Sequence, residues 1–540
     1  DNYLGNPNLK KTNVQQEFTA EQVEEYVKCS KDPSYFIEKY IKIVNLDEGF
    51  IPFEMYPFQK KMVKTFHKNR FSICKIPRQS GKSTTVCSYI LWYALFNPTV
   101  NCAILANKGA LARDLLQKIH MSYEALPAWL QQGIKEWNKG SIVLENDSKI
   151  VAAATSSSAV RGGSYNLVFL DEFAFVPFNL AEEFFRSVYP TITSGKNTKV
   201  MVVSTPNGMN HFYKMWVDAE ESRSSYIPIE VEWNDIPGRG VRFKEETIKN
   251  TSQEQWEQEF ECQFLGSSNT LINPNSLRNM AYKQPEYNKD GVTVYEKAQE
   301  GNTYVTTVDV SRGVGIDYSA FTVIDVTKMP FKVVCKYKSN DISPLMYPTI
   351  INQMSSHYNQ AYVLVEVNDI GQQVADILNS EIEYENLLTT TWKGRSGQVL
   401  GGGFGGGNTT LGARTTGQLK RLGCSNLKNL IEENKLIIQD FDIINELSTF
   451  VARKGSYEAE EGSHDDLAMC LVMFAWLSGQ PYFKELTETD IRQKLYKEKM
   501  QAIEDELTPF GFVSDGLTEK SESFVDAEGD RWVVVDNRSW

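Results

Sequence analysis

Long apolar runs are missing from this sequence. No stretch reaches about 18 consecutive apolar residues, so no membrane-spanning helix is expected. The first residues (DNYLGNPNLKKTNVQQEF) hold no apolar core of the kind a secretory leader needs. They begin with Asp1 instead of Met, as expected of a fragment or a processed chain. Paired cysteines are missing too. The 8 cysteines are scattered with no CxxC spacing, and several fall inside apolar runs. This excludes a zinc ribbon or a disulfide frame and predicts buried free thiols in a reducing compartment. Positive charge is in deficit, with 56 Lys and Arg against 69 Asp and Glu and a net charge of -13. A general nucleic-acid coat is therefore disfavoured. The deficit is uneven: residues 481–540 hold 8 basic and 14 acidic residues, which leaves room for a local basic channel in the body.

A length of 540 residues accommodates two to four domains, and no internal repeat is found. Residues 1–50 read as polar and helical. From 51 to 265, apolar strands (71–76, 101–106, 166–170, 199–204) alternate with helices (84–96, 108–125, 179–188, 209–220, 242–263). This alternation predicts a mostly parallel sheet covered by helices. A hairpin is expected within 141–154, turning at Asn146-Asp147. Residues 266–300 read as a linker and the approach to a second domain at 301–480. There, three close strand-like runs predict an antiparallel meander, followed by alternating helices and strands. The glycine-rich stretch 393–408 reads as a mobile loop. The tail 481–540 reads as acidic, with one charged helix and a final Arg-Trp-Val run that forms a lone strand or a docking peptide.

One glycine is absent where it matters. Lys75-Ile76-Pro77-Arg78-Gln79-Ser80-Gly81-Lys82-Ser83-Thr84 lies between a strand and a helix and has the form of a phosphate-binding loop. The usual pattern has glycine five positions before Gly81; here Ile76 stands there. Backbone N–H groups from Arg78 to Thr84 can cradle phosphates. Lys82 can reach the β- and γ-phosphates of ATP, and Ser83 can hold Mg2+. The strand ending in Asp171-Glu172 supplies the partner: Asp171 for Mg2+ and Glu172 for the attacking water. Ser204 and Thr205 close a third strand and can sense the γ-phosphate, although the Pro-Asn-Gly that follows also signals an ordinary turn. Gln59, upstream, can read the adenine edge, with Phe58 stacking on the base. Arg161, ten residues before Asp171 and beside glycines, could reach a neighbouring subunit's γ-phosphate or pair within its own domain.

The second domain carries separated carboxylates. Asp309 ends the first strand of the meander, Asp317 precedes the second, Glu366 ends a later strand, and Asp465 and Asp466 open an apolar helix. Each alone could be a solvated strand end or a helix cap. In this order they have the layout of an RNase H-like nuclease, whose acids hold two divalent ions around a phosphodiester. Hard oxygen ligands without His or Cys favour Mg2+ or Mn2+.

Both constellations, in this order, resemble the large terminase subunit of tailed double-stranded DNA phages, closest to its T-even-like myovirus branch. The resemblance rests on CKIPRQSGKSTT, AVRGGSYNLVFLDEFAF, VSTPNGMNHFY, GCSNLKNLIEENKLII and EGSHDDLAMCL, and covers roughly residues 50–480. The family's loop also lacks the first glycine; the resemblance implies either that the first part of the family's ATPase region is absent here or that this branch is shorter. The resemblance implies an α/β chain with an N-terminal P-loop (RecA/ASCE-like) ATPase domain followed by an RNase H-like nuclease domain. It implies Arg78 as a cis arginine finger, Gln59 as adenine reader and Ser204-Thr205 as the coupling motif. Asp309, Glu366 and Asp466 are implied as metal ligands, with Asp465 the alternative to Asp466 and Asp317 accessory. Its partners would be double-stranded DNA, a portal protein and a small terminase subunit. A pentameric ring on the procapsid, in the cytoplasm of an infected bacterium, follows from the same likeness. A repair-type helicase–nuclease would need a second RecA-like lobe, which residues 303–480 do not supply. A non-catalytic scaffold would not need complete acid sets.

Overall fold

The computed structural model describes residues 2–45, 49–156, 163–193, 195–267, 269–315, 317–394, 397–401, 409–487, 523–525 and 531–533. It contains two compact units, Asp1–Phe483 and Lys484–Trp540. In the second, Ser523–Val525 pairs antiparallel with Arg531–Val533, so the Arg-Trp-Val run has a strand partner. The charged helix expected in the tail falls mostly outside the described residues. No described helix is long and apolar enough to cross a membrane, and all eight cysteines are buried and free.

The first half of the large unit is built on eight strands: β1 (Phe71–Lys75), β2 (Asn101–Ala106), β3 (Ile134–Trp137), β4 (Ser141–Leu144), β5 (Lys149–Ala154), β6 (Leu167–Asp171), β7 (Lys199–Ser204) and β8 (Ile227–Glu230). Their spatial order is β8-β1-β7-β6-β2-β5-β4-β3. The strands from β8 to β5 are parallel. β4 and β3 add an antiparallel edge, and the β4–β5 hairpin turns through Asp147 at φ 64°. The central parallel strands β2, β6 and β7 are nearly continuous buried apolar runs, as expected where helices cover both faces. Helix α1 (Pro57–Lys68) precedes β1, and α2 (Lys82–Phe96) follows it. Helix α2 is apolar nearly all round and buried nearly all round, the signature of a helix inside a core.

The second half centres on a seven-stranded sheet: β9 (Tyr287–Lys289), β10 (Val292–Val294), β11 (Tyr304–Asp309), β12 (Ser319–Asp325), β13 (Phe331–Ser339), β14 (Tyr362–Val365) and β15 (Leu436–Ile437). β11, β12 and β13 form the antiparallel meander, and β14 joins β11 in parallel. This brings the ends of β11 and β14 side by side. The helix Asp466–Ser478 is buried from Leu467 to Leu477 and packs across β11 and β12.

Three expectations change. The sheet begins at Tyr287, inside the stretch read as linker. The Gly266-Ser267 segment is itself stitched to this half, with Ser267 N donating to Ser448 O and Leu271 N to Phe450 O. The helix expected over 242–263 is two helices, Val241–Asn250 and Gln253–Glu259, because Ser252 caps the second through the Gln255 N–H. Within 393–408, Gln398–Leu400 pairs with Thr389–Trp392 as a strand, and residues 395–396 and 402–408 lie outside the described residues.

Candidate active sites

The first site forms where β1, β6 and β7 end together. Gly81 adopts φ +71°, and a Cβ there would meet Gln59 Nε2 at 2.7 Å. Glycine is thus required by both conformation and space. Ile76 explains why the earlier glycine is dispensable. It is fully buried and continues the sheet: its N–H donates to Ser204 O and its carbonyl accepts from Thr205 Oγ1. Lys82 Nζ pairs with Glu172 Oε1 at 2.6 Å and donates to Thr205 Oγ1 at 2.6 Å. Glu172 sits at φ 47°, ψ 45°, and its Oε2 accepts from Thr205 N and Ser204 Oγ. A left-handed glutamate costs on the order of 1–3 kcal/mol and needs such surroundings to persist. Ser83 Oγ donates to Asp171 Oδ1 at 3.2 Å. Burial, then the neighbouring Glu172 charge, pushes the Asp171 carboxyl up to about 6, against the pull of Lys82. The buried Ser80 hydroxyl has no hydrogen-bond partner. That unmet group, beside a lysine and a helix N-terminus, suits a phosphate.

Two residues of this site differ from expectation. Gln59 is only 2% exposed and braces the loop: its Nε2 donates to Ser80 O and its Oε1 accepts from Tyr56 N. It is not presented to a base. Arg78 rests on Glu259, with Nε 3.4 Å from Oε1 and its amide donating to Glu259 O. Arg239, which the sequence did not single out, donates to the carbonyls of Arg78 and Gln79. Arg161 lies outside the described residues.

In the second site Asp309, at the end of β11, stands beside Glu366, just past the end of β14, whose N–H donates to Val308 O. Burial, then Glu366, holds the Asp309 carboxyl well above the usual carboxylate range. A Cβ at Gly371 would collide with the Glu366 carbonyl, so only glycine lets the following helix start this close to the acid. Asp466 is pushed up to about 8 by burial and then by Glu446, with Lys338 opposing. Its Oδ2 is buried with no hydrogen-bond partner, and His464 Nδ1 lies 3.8 Å away. Asp465 is engaged otherwise, accepting from Ala459 N at 3.2 Å. Asp317 is exposed, near enough for its charge to raise Asp466. Asp309 and Asp466, each raised first by burial and then by neighbouring carboxylates, form with Glu366 a set of oxygen donors, one oxygen orphaned, that a divalent cation would relieve. Among the described residues no three acidic, His or Cys side chains are already drawn to ion-holding distances.

Residues 73–278 match the family model "Terminase large subunit, T4likevirus-type, N-terminal", and residues 306–475 match "Terminase RNaseH-like domain". The chain belongs to the large terminase subunit family. It is similar to the terminase large subunits of Thermus virus P23-45 and Thermus phage G20c, 23% identical to each over 374 residues, 65% of this chain and 70% of the relative. Among solved structures it is similar to the HK97 bacteriophage large terminase, with 12% identity and a TM-score of 0.46, covering 83% of this chain and 99% of that one. It is also similar to the magnesium-bound nuclease of the phage G20c large terminase, with 19% identity and a TM-score of 0.30, over 39% of this chain and 97% of that one.

This large terminase therefore joins a P-loop ATPase domain to an RNase H-like nuclease domain, as a viral DNA-packaging motor that hydrolyses ATP and cleaves DNA. The two halves meet beside the second site. Tyr318 OH donates to Glu182 Oε2 at 2.9 Å, Lys338 Nζ lies 4.4 Å over the Tyr318 ring, and the His464 ring stands edge-on to it. Lys338 pairs with Glu446 Oε1, while Glu446 Oε2 accepts from the Ala468 N–H in the first turn of the Asp466 helix. Sequence reading passed over Lys338 and Glu446. The available signal was weak: Lys338 is one of three lysines in the strand Phe331–Ser339, and Glu446 is one of two acids in the helix Phe441–Ser448.

Proposed function

We propose that this terminase performs its two reactions with the following groups. The loop from Arg78 to Thr84 holds the triphosphate of ATP, with Lys82 on the β- and γ-phosphates. Ser83 and Asp171 hold the accompanying Mg2+. Glu172 orients the attacking water and takes its proton, and Ser204-Thr205, bonded to Glu172 and Lys82, report the γ-phosphate to β7. Arg78 leaves Glu259 to stabilise charge in the transition state, and Gln59 keeps the loop in place. The observation that carries this reading is the convergence of the ends of β6 and β7 on Lys82, with Ser83 beside it on Asp171.

In the nuclease, Asp309, Glu366 and Asp466 are the proposed ligands for Mg2+ or Mn2+. Bound divalent cations would generate the attacking hydroxide and neutralise charge on the leaving oxygen. The chain's own part is to hold three oxygen donors at fixed strand and helix ends, with Asp317 at the rim. The orphaned Asp466 oxygen favours Asp466 over Asp465. Asp466→Asn is expected to lose the rise in Tm that Mn2+ or Mg2+ produces, together with cleavage. Asp465→Asn is expected to lower Tm by weakening its bond to Ala459 and to keep cleavage within about tenfold, since one such bond is worth about 1 kcal/mol. The opposite pattern in differential scanning fluorimetry with plasmid nicking would reassign the ligand.

The raised carboxyls set a pH dependence. The native protein holds protons here that the unfolded chain releases near pH 4. Without metal, this part of the stability is complete below about pH 4 and is lost as pH rises toward about 8, where Asp466 ionises. Cations compete with those protons. Metal affinity is therefore expected to rise by up to about tenfold per pH unit for each proton displaced, levelling off above about pH 8. Calorimetric titration with Mn2+ at pH 6, 7 and 8 checks the slope, and a flat profile would contradict the ligand set.

The same reading has the motor work on double-stranded DNA at a portal vertex, as a ring with a small terminase subunit, in the host cytoplasm. Mg2+-dependent ATP hydrolysis, measured with and without procapsids and linear DNA, tests it. Hydrolysis indifferent to both would remove the motor assignment.

A further inference from the structure

Between residues 55 and 113 the chain contains no Asp or Glu and ten Lys or Arg, whereas the whole chain carries 69 acids in 540 residues and a net charge of -13. Four of those ten stand on α1 (Pro57–Lys68). Phe58, Met62, Val63 and Phe66 bury the opposite side of the helix, which leaves Lys60, Lys61, Lys64 and Lys68 along the outer one. Lys60 pairs with Glu38 at 2.8 Å. Lys61, Lys64 and Lys68 are exposed and form no ion pair among the described residues. Lys60, Lys64 and Lys68 follow one another at four-residue intervals, about 6 Å apart along the axis. Like charges at that spacing destabilise a helix; Glu38 offsets this at Lys60 and the helix C-terminus at Lys68, while Lys61 and Lys64 have no such compensation. Lys199 adds a further cation at the C-terminal end, where its Nζ donates to the carbonyls of Phe66, His67 and Asn69 and fixes the helix to β7.

We propose that this lysine row binds the phosphate backbone of duplex DNA. The inference rests on the motor function proposed for this chain and names a surface for it. Two features favour DNA as the occupant. Apart from Glu38 beside Lys60, the row is a cationic strip in an otherwise acidic protein, which suits a polyanion with about one charge per 1.7 Å of axis. The helix also begins at the nucleotide: Gln59, on its first turn, donates to Ser80 O of the phosphate loop at 3.1 Å. A grip mounted on this helix would feel ATP directly. No base-reading group lines the row, so binding would be indifferent to sequence.

The test compares full-length wild type, the triple variant Lys61→Ala/Lys64→Ala/Lys68→Ala, and a control, Lys28→Ala/Lys31→Ala/Lys297→Ala, that removes the same charge elsewhere. The probe is a 30-base-pair duplex of mixed sequence, titrated between about 50 and 200 mM salt. The first triple is expected to bind at least tenfold more weakly at the lower salt. Its slope of log affinity against log salt should fall by about 2–3, near 0.9 for each phosphate that is no longer neutralised. Its DNA-free ATPase rate should stay within about twofold, because none of the three lysines touches the loop, while stimulation by DNA should disappear. An unchanged slope, or an equal loss in the control, would overturn the inference while leaving the motor function intact. So would normal DNA binding accompanied by loss of procapsid-dependent packaging, which would make the row a protein-binding surface. A wild type that binds no duplex at any salt would overturn both.

Discussion

Glu172→Gln is expected to bind ATP at least as tightly as wild type and to turn it over about 10³-fold more slowly, within the range for loss of a general base. Glutamine keeps the length and planarity of the side chain, so its oxygen can still accept from Thr205 N and Ser204 Oγ. The left-handed backbone at this position is therefore retained. What disappears is the group that takes the proton from water. Binding should not suffer, because Lys82 no longer has a carboxylate to leave before it meets a phosphate. Nicking of DNA by the other half should persist. Equilibrium binding of a fluorescent ATP analogue, measured beside phosphate release, separates the two effects. Weakened binding together with slow turnover would point to a structural role for Glu172.

Asp309→Asn is expected to abolish cleavage, by about 10³-fold or more, and to leave ATP hydrolysis within about twofold. The sign of the stability change distinguishes a ligand from a fold residue. Asp309 is buried against Glu366 and held far above its usual protonation range. An asparagine can bond Glu366 without the like-charge cost, so without metal the variant should melt no lower than wild type. A residue serving only the fold would show the reverse, with lower Tm and partial activity. Retained cleavage would end the assignment of Asp309.

Much of this was legible in the sequence, for a local reason. β6, β7 and β11 are short apolar runs that end in Asp171, Ser204 and Asp309, residues proposed for the chemistry, and β1 leads into the loop that carries Lys82, so one stretch of chain fixes both the element and the placement of each. The break at Ser252, which caps Gln253–Glu259 through the Gln255 N–H, is local too, yet 242–263 read as one helix. The unread parts depend on contacts between distant segments. Lys338 and Glu446 meet across more than 100 residues to brace the Asp466 helix. Gln59 reads as a ligand-facing amide until the fold buries it under Ser80. Gly371 matters because of where the Glu366 carbonyl lies, which no spacing reveals.

The pairing of Lys82 with Glu172 bears on how a motor waits. The cation proposed to grip a phosphate and the base proposed to activate the attacking water neutralise each other at 2.6 Å. An arriving triphosphate competes for Lys82, and success frees Glu172 in the same event. Loading and arming are then a single step, so a subunit idling between strokes keeps its hydrolytic base occupied until there is something to hydrolyse.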